Sequence, residues 1–246
     1  MKKRLDQLLV ERKLFSSRTR AQAAILEGRV FVDGQKMDKS GEGVSEEAKI
    51  EVRGEALPYV SRGGIKLEHA LKEFKVKVTG RIALDVGAST GGFTDCLLKQ
   101  GAAKVYAIDV GYGQLAWELR QDPRVKVVER TNIRYLTLED LGLRTSDLEL
   151  CTIDVSFISL SKVLPAVYNL LAGKAEVIAL IKPQFEARRE QVGKGGIVKD
   201  EQVHGEVIEK VKAGAEAMGF KAKGVVESPI KGADGNKEYF IHLIKG

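Results

Sequence analysis

Hydrophobic positions along the chain follow two patterns that change near residue 60. Beyond it, short and largely apolar runs (Ile82–Val86, Val105–Ile108, Leu150–Ile153, Val177–Ile181) are separated by polar segments with helical spacing. Runs of this kind read as strands buried on both faces, and their alternation with helices predicts a parallel sheet covered on both sides. Strands are expected near 82–87, 104–109, 125–129, 150–154, 176–182, 222–228 and 238–244. Helices are expected near 62–74, 92–100, 114–120, 159–171 and 200–218. Between the last two strands stand Pro229 and the glycines Gly232 and Gly235, with no room for a helix, so these strands should pair as a long-looped hairpin.

Residues 1–55 are patterned differently. Leu5, Leu8 and Leu9 have helical spacing, and Ser17 offers a cap for a second helix carrying Ala21, Ala24 and Ile25 on one face. After Gly28, two short strand signals, Val30–Val32 and Lys49–Val52, follow with Asp33-Gly34 as a turn. Ten Lys or Arg face five acids over residues 1–40. If Arg18, Arg20 and Arg29 share a face, half of that excess sits on the second helix. Residues 56–61 form a connector in which Pro58 biases Leu57 away from helix, and 62–246 form the second domain. The fold expected is α/β, a mainly parallel sheet with an antiparallel last strand, preceded by a small α+β domain.

The net charge of +6 suggests a polyanionic partner. No run approaches the roughly 18–20 apolar residues of a membrane span, so no integral membrane contact is expected. Met1 to Asp6 is basic without an apolar signal core, which points to the cytoplasm. Cys96 and Cys151 make no disulfide framework, and His69, His204 and His242 are scattered, so no metal is expected. The histidines read as surface or strand positions.

Chemistry concentrates where strands end. Ile82–Val86 breaks into Gly87-Ala88-Ser89-Thr90-Gly91-Gly92 before a helix opened by Phe93, a turn that lets backbone N–H groups approach a nucleotide-like ligand. Asp109 closes the next strand, placed to accept hydrogen bonds from ribose hydroxyls, which makes an adenosine compound the expected ligand. Asp85, Gly87 to Phe93, Asp109 and Asn132 are the candidate ligand-binding residues, with Trp117 either flanking the adenine or simply packing. Asp154 and Lys182 end two later strands, Lys66 lies in the helix before the first, and Glu238 opens the last. Taken alone, Asp154 and Lys182 also read as a plain ion pair at the rim. The segment 186–200, with Arg188, Arg189, Lys194 and Lys199 and three glycines, reads as an RNA clamp or as a solvated loop.

Two resemblances sharpen this. Arg4-Leu5-Asp6, Ser17-Arg18-Thr19-Arg20-Ala21 and Gly28-Arg29-Val30-Phe31-Val32-Asp33-Gly34 resemble the S4 RNA-binding domain, which implies binding of structured RNA through phosphate and shape. Arg4, Arg18, Arg20 and Arg29, joined by Arg62, Arg188, Arg189 and Lys194, are the implied RNA contacts. Lys66, Asp154, Lys182 and Glu238 match in order the Lys-Asp-Lys-Glu tetrad of ribose 2′-O-methyltransferases of the FtsJ type. The whole chain resembles the TlyA/haemolysin A family of ribosomal RNA methyltransferases. The carrying segments include Val60-Ser61-Arg62-Gly63-Gly64-Ile65-Lys66-Leu67, Lys182-Pro183-Gln184-Phe185-Glu186 and Val192 to Val198.

The resemblance implies a Rossmann-like methyltransferase sheet, S-adenosylmethionine as cofactor, and a ribose 2′-hydroxyl of ribosomal RNA, in cytidine, as substrate, on naked RNA or on ribosomal subunits. Lys182 is the candidate base, with Lys66 either a positive neighbour or mainly a phosphate ligand; Asp154 orients Lys182, and Glu238 holds Lys66 or the ribose. The family's Arg-x-Trp-Val linker is altered, Leu57 and Tyr59 standing for the Arg and Trp. Exocyclic amine methylation is disfavoured because Asp154-Val155-Ser156-Phe157 lacks the Asn/Asp-Pro-Pro-aromatic run, and cytosine C5 chemistry because Cys151 lies inside a buried strand. The alternative is a non-catalytic RNA-binding or ribosome-assembly factor that keeps the fold. Direct membrane lysis is disfavoured.

Overall fold

A computed structural model describes residues 2–15, 17–26, 28–53, 58–144, 147–232 and 235–246. Leu57, with the rest of 54–57 and so the expected boundary at 55, lies outside these residues. The first domain runs β1 (Lys2–Arg4), α1 (Leu5–Glu11), α2 (Arg18–Leu26), β2 (Val30–Val32), β3 (Gln35–Lys36), β4 (Gly43–Ser45) and β5 (Ile50–Val52). The helical spacing seen in the sequence sends Leu5, Leu8 and Leu9 of α1 against Ala21, Ala24 and Ile25 of α2, closed by Val30 and Val32. Ser17 Oγ accepts the Arg20 N–H at 3.3 Å, the expected cap. Asp33 and Gly34 both have positive φ (48° and 81°), the conformation that matches the twist of a two-residue hairpin between β2 and β3. The two-stranded β1–β4 sheet was not foreseen, because three-residue strands carry too little alternation. Arg29 lies beyond the end of α2, so it does not share a helix face with Arg18 and Arg20.

The second domain continues with α3 (Arg62–Glu73), β6 (Ile82–Val86), α4 (Gly92–Lys99), β7 (Lys104–Ile108), α5 (Trp117–Arg120), β8 (Val125–Val128), α6 (Leu138–Leu141), β9 (Leu150–Ile153), α7 (Leu164–Leu170), β10 (Glu176–Ile181), α8 (Pro183–Glu186), α9 (Glu201–Ala217), β11 (Phe220–Glu227) and β12 (Tyr239–Lys245). The strands form one sheet in the order β11-β12-β10-β9-β6-β7-β8. β6 to β10 are parallel; β12 is antiparallel to both of its neighbours, β10 and β11. The expected pairing of the last two strands is present, and β12 is wedged between β10 and β11.

Alternate residues of each central strand serve opposite faces. Val177, Ala179 and Ile181 of β10 pack with Leu164, Val167, Val203 and Val207 from α7 and α9. Ile178 and Leu180 pack with Leu67, Leu71 and Leu97 from α3 and α4. Both faces are covered, which is why these strands are apolar throughout rather than alternating. Two expected helices are shorter or broken. The 159–171 helix is a 3-10 turn, Leu160–Lys162, followed by α7 with Pro165 in its first turn; the 114–120 helix keeps only Trp117–Arg120. Short α6, capped reciprocally by Thr137 and Asp140, was missed.

The connector is not a free spacer. Tyr59 and Val60 are buried in the second domain's core, the Val60 N–H donates to Asp95 Oδ2 at 2.9 Å, and Lys99 Nζ donates to the Pro58 carbonyl. An ion pair, Arg20 Nε to Glu118 Oε1 at 2.8 Å, joins the two domains.

Candidate active site

The carboxyl ends of β6, β7, β8 and β9 open onto one cleft of about 510 Å³. Its floor is the turn after β6. The Gly87 and Ala88 N–H groups both donate to the Ile108 carbonyl, drawing the turn against β7. Gly87 has φ +85°, and a Cβ there would stand 2.2 Å from the Asp154 carbonyl oxygen, so only glycine permits this approach to the end of β9. The Ser89 N–H then donates to Asp109 Oδ2 at 2.7 Å, and the Gly111 N–H to Asp109 Oδ1 at 2.6 Å. Asp109 is thereby fixed at the cleft's edge with lone pairs left for hydroxyl donors.

Of the ten expected ligand-binding residues, Gly87, Ser89, Asp109 and Asn132 line the cleft. The other six do not line it, and each has a structural reason. Asp85 is fully buried and accepts from Thr94 Oγ1 at 2.7 Å and Thr152 Oγ1 at 3.1 Å. Burial pushes its carboxyl up to about 7 despite those two bonds, with the Asp154 charge adding to the rise. Ala88 is buried, and the Thr90 carbonyl accepts the Ala116 N–H. Gly91 (φ +98°) caps α4 against Leu115 and Leu119, Gly92 lets α4 approach Ser61 and Gly64, and Phe93 is buried against Phe240. Sequence reasoning missed Gln114, Thr131, Ser156 and Phe157, which complete the lining. Trp117 is 65% exposed and does not line the cleft.

Three of the tetrad residues stand at the ends of neighbouring strands, and the fourth, Lys66, reaches them from α3. Asp154 follows β9, Lys182 follows β10, and the Ile181–Tyr239 register sets Glu238 at the same rim. They form two pairs. Lys66 Nζ donates to Glu238 Oε2 at 2.6 Å with both residues buried. Lys182 Nζ lies 2.5 Å from Asp154 Oδ1 and donates to Ser156 Oγ at 3.0 Å. The ion pair is close but off-axis, so Asp154 Oδ1 is buried without an aligned donor.

Beside Lys182 the loop after β9 rises into Phe157, which has φ +63° and is 90% exposed. A bulky residue in the left-handed region is strained, and an aromatic ring left in water is unusual. Phe185 backs it at a centroid distance of 5.1 Å. Buried Glu186 anchors the loop, accepting from Ser159 Oγ and the Leu160 N–H, both at 2.6 Å. A second groove, lined by Arg134, Ser159, Lys162 and Phe185, adjoins the cleft across Phe157.

The expected RNA-contacting side chains are distributed unevenly. Arg4 and Arg18 both bind Asp6 Oδ2 at 3.0 Å. Burial of Asp6 opposes its ionisation, but bonds from Arg4, Gln22 and Arg18 outweigh that and hold it well below the usual carboxylate range. Arg29 Nε donates to the Arg53 carbonyl, and Arg62 Nη2 to the Lys231 carbonyl. Arg188, Arg189 and Lys194 are exposed. His242 is on a strand, as expected, but His204 is a buried residue of α9, bonded to Tyr239 and the Val198 carbonyl. Both cysteines are buried; burial pushes the Cys96 thiol up to about 12 and the Cys151 thiol well above its ordinary value, so neither presents a thiolate. Among the described residues no group of His, Cys, Asp or Glu could hold a metal ion, and no helix is long and apolar enough to cross a membrane.

A seven-stranded sheet of this order, with a glycine turn after β6 and an acid after β7, is the Rossmann-like fold of S-adenosylmethionine-dependent methyltransferases. A Listeria monocytogenes methyltransferase of that class, 16% identical, shares the fold with a TM-score of 0.55 over 75% of this chain and 98% of its own. Within the class the chain belongs to the FtsJ-like methyltransferase family, whose model matches residues 59–245, and the S4 domain model matches residues 3–50. More narrowly it is a member of the TlyA/haemolysin A family. The 16S/23S rRNA (cytidine-2′-O)-methyltransferase TlyA of Mycobacterium tuberculosis is 47% identical over 98% of this chain and 89% of its own. Hemolysin A of Brachyspira hyodysenteriae is 43% identical over 98% and 99%. A solved Streptococcus thermophilus structure with a provisional haemolysin name is 46% identical, with a TM-score of 0.78 over 99% of this chain and 88% of that one.

Proposed function

We propose that the chain transfers a methyl group from S-adenosylmethionine to a ribose 2′-hydroxyl of cytidine in ribosomal RNA, in the cytoplasm, with the S4 domain docking the RNA. The observation that carries this is the meeting of two acid–lysine pairs at one rim of the sheet, Asp154–Lys182 at the ends of β9 and β10 and Lys66–Glu238 between α3 and the start of β12, the first pair lining or flanking the cleft. The names borne by the M. tuberculosis relatives agree with it.

The cleft suits the cofactor. Asp109 offers acceptors to a ribose diol, and Gly87 leaves open the space a side chain would fill. When bound, S-adenosylmethionine supplies an electrophilic methyl group on a sulfonium centre. Lys182, once its own proton has been released to solvent, is oriented by Asp154 and Ser156 and receives the proton of the attacking 2′-hydroxyl. A general base in this position contributes about 10²–10⁴-fold. Glu238 and Lys66 neutralise each other, and this pair braces the wall where the ribose lies. Phe157 presents a face on which the base stacks, and Arg134 and Lys162 add positive charge beside it.

The test is transfer of tritiated methyl from S-adenosylmethionine to ribosomal subunits from a strain lacking the gene. Label is expected in a 2′-O-methylated cytidine, and Lys182→Ala should lower the single-turnover rate by about 10²–10⁴-fold. A near-normal rate in Lys182→Ala removes the base assignment. Tight RNA binding without label would replace the enzyme with a ribosome-assembly factor.

A further inference from the structure

Three features stand outside the chemistry just described: the glycine segment 193–198, the fully buried Asn236, and the buried His204. They are one assembly. The segment folds on itself, the Gly193 N–H donating to the Ile197 carbonyl and the Gly196 N–H to the Gly193 carbonyl. Gly195 and Gly196 both take positive φ, +77° and +76°, so the turn is open only to glycine without strain. Its base is gripped from two sides. Asn236 Oδ1 accepts the Val198 N–H at 3.0 Å while its Nδ2 donates to the Gly196 carbonyl at 2.9 Å. One amide orientation satisfies both, since an N–H needs an acceptor and a carbonyl a donor. From α9, His204 Nε2 meets the Val198 carbonyl at 2.9 Å and Nδ1 meets the Tyr239 hydroxyl at 2.8 Å. The carbonyl accepts only, so the proton is on Nε2, and Nδ1 accepts from Tyr239. Both main-chain groups of Val198 are therefore held by side chains, and Asn236 and Tyr239 stand on either side of Glu238 where the chain enters β12.

What the clasp holds out is charged. Residues Gly193 to Gly196 are exposed, and Lys194 at their tip has no carboxylate partner among the described residues. We infer that Asn236 and His204 are positioning residues that fix this glycine turn as a preformed arm at the rim of the site, from which Lys194 takes a phosphate of the RNA. The inference rests on the proposed RNA substrate. A preformed arm loses no loop entropy on binding, so the clasp governs RNA affinity and leaves the chemical step alone.

The experiment compares Asn236→Ala, Asn236→Asp, His204→Gln, Lys194→Ala and the Asn236→Ala/Lys194→Ala double variant, in the full chain, on unmodified ribosomal subunits. Asn236→Ala should raise KM for subunits about tenfold with kcat within about twofold and S-adenosylmethionine affinity unchanged, because the two buried bonds lost go to Val198 and Gly196 and none to the tetrad. Asn236→Asp, which keeps the acceptor and loses the donor, should fall between. Lys194→Ala should reduce the slope of log binding constant against log salt by about 0.7–0.9, one phosphate's worth. The double variant should raise KM no further than the larger single change, because both act through one arm. Hydrogen exchange, which needs no activity, should show the amides of residues 193–198 opening in Asn236→Ala while β12 stays protected. Additive KM effects, or kcat, cofactor affinity and thermal stability falling together, would overturn the inference by reducing the clasp to general support. Wild-type protein that labels no ribosomal RNA would instead refute the substrate, leaving the exchange result to judge the clasp alone.

Discussion

Asp85 lies beneath the glycine turn, wholly out of water, and its replacement by Asn gives a stability change that can be worked out in advance. Its carboxyl ordinarily titrates at 3.8 and in the folded chain at about 7. The folded state therefore holds a proton that the unfolded state has released between those two values. Stability is highest below pH 3.8, falls as pH rises to about 7 and is level above it. At about 1.36 kcal/mol per unit, the three-unit rise means the ionised group costs about 4 kcal/mol at pH 8. An Asn does not titrate, and the Thr94 and Thr152 hydroxyls, which donate to Asp85, can turn to accept from its amide. Loss of charge-assisted bonding offsets part of the gain, about 1 kcal/mol. Asp85→Asn should then be more stable than the parent at pH 8, by about 3 kcal/mol more than its difference at pH 5. Urea unfolding of both proteins at pH 5, 6, 7 and 8 measures it, and every other titrating group cancels in the subtraction. A stability difference that stayed constant with pH would refute the reasoning, since it would mean Asp85 folds with an ordinary carboxyl.

Other substitutions separate fold from chemistry. Glu238→Gln leaves Lys66 charged and buried without its partner and should destabilise by about 3–5 kcal/mol; Lys66→Met in the same chain should restore much of it, and thermal melts giving no recovery would argue that the pair is not the source. Gly87→Ala forces a Cβ to 2.2 Å from the Asp154 carbonyl and should cost stability beyond the ~1–3 kcal/mol of a left-handed residue, with cofactor binding by calorimetry lost as well. Phe157→Ala removes an exposed, strained ring, so the melt should be unchanged or raised while RNA turnover falls by the ~1–3 kcal/mol of a lost base stack. Unchanged kcat/KM would take Phe157 out of the site.

The fold was legible because its physics is local and repetitive. Apolar runs such as Val177–Ile181 can only be strands with two covered faces, and the glycines after Val86 mark the turn that shapes the cleft. Three of the tetrad positions were legible because they stand where a strand starts or ends; Lys66, inside α3, was legible only through the resemblance. What escaped the sequence depends on contacts between distant segments. The same turn that bears Gly87 and Ser89 into the cleft sends Ala88, Gly91 and Phe93 behind it, a division set by packing against Leu115, Leu119 and Phe240. His204 looked like a surface residue because polarity suggests exposure; only the meeting of α9 with β12 buries it against Tyr239. Phe157 carries no signal of its strain, since a positive φ outside glycine leaves no trace in composition.

The wedging of β12 between β10 and β11 also sets when the site can exist. The Lys66–Glu238 bond joins residues 172 apart, and β10 gains its second neighbour only when residues 239–245 dock. Contacts of such separation close late, after the β6–β9 and β6–β7 ladders have supplied a surface to dock on. A chain refolding from denaturant should regain its helices and central sheet first and its tetrad last. A stop before residue 236 would remove β12, the strand that joins β11 to the rest of the sheet, and half of a buried ion pair at once. Loss of the second domain is then all-or-none, while residues 3–50, with a core of their own, remain able to fold.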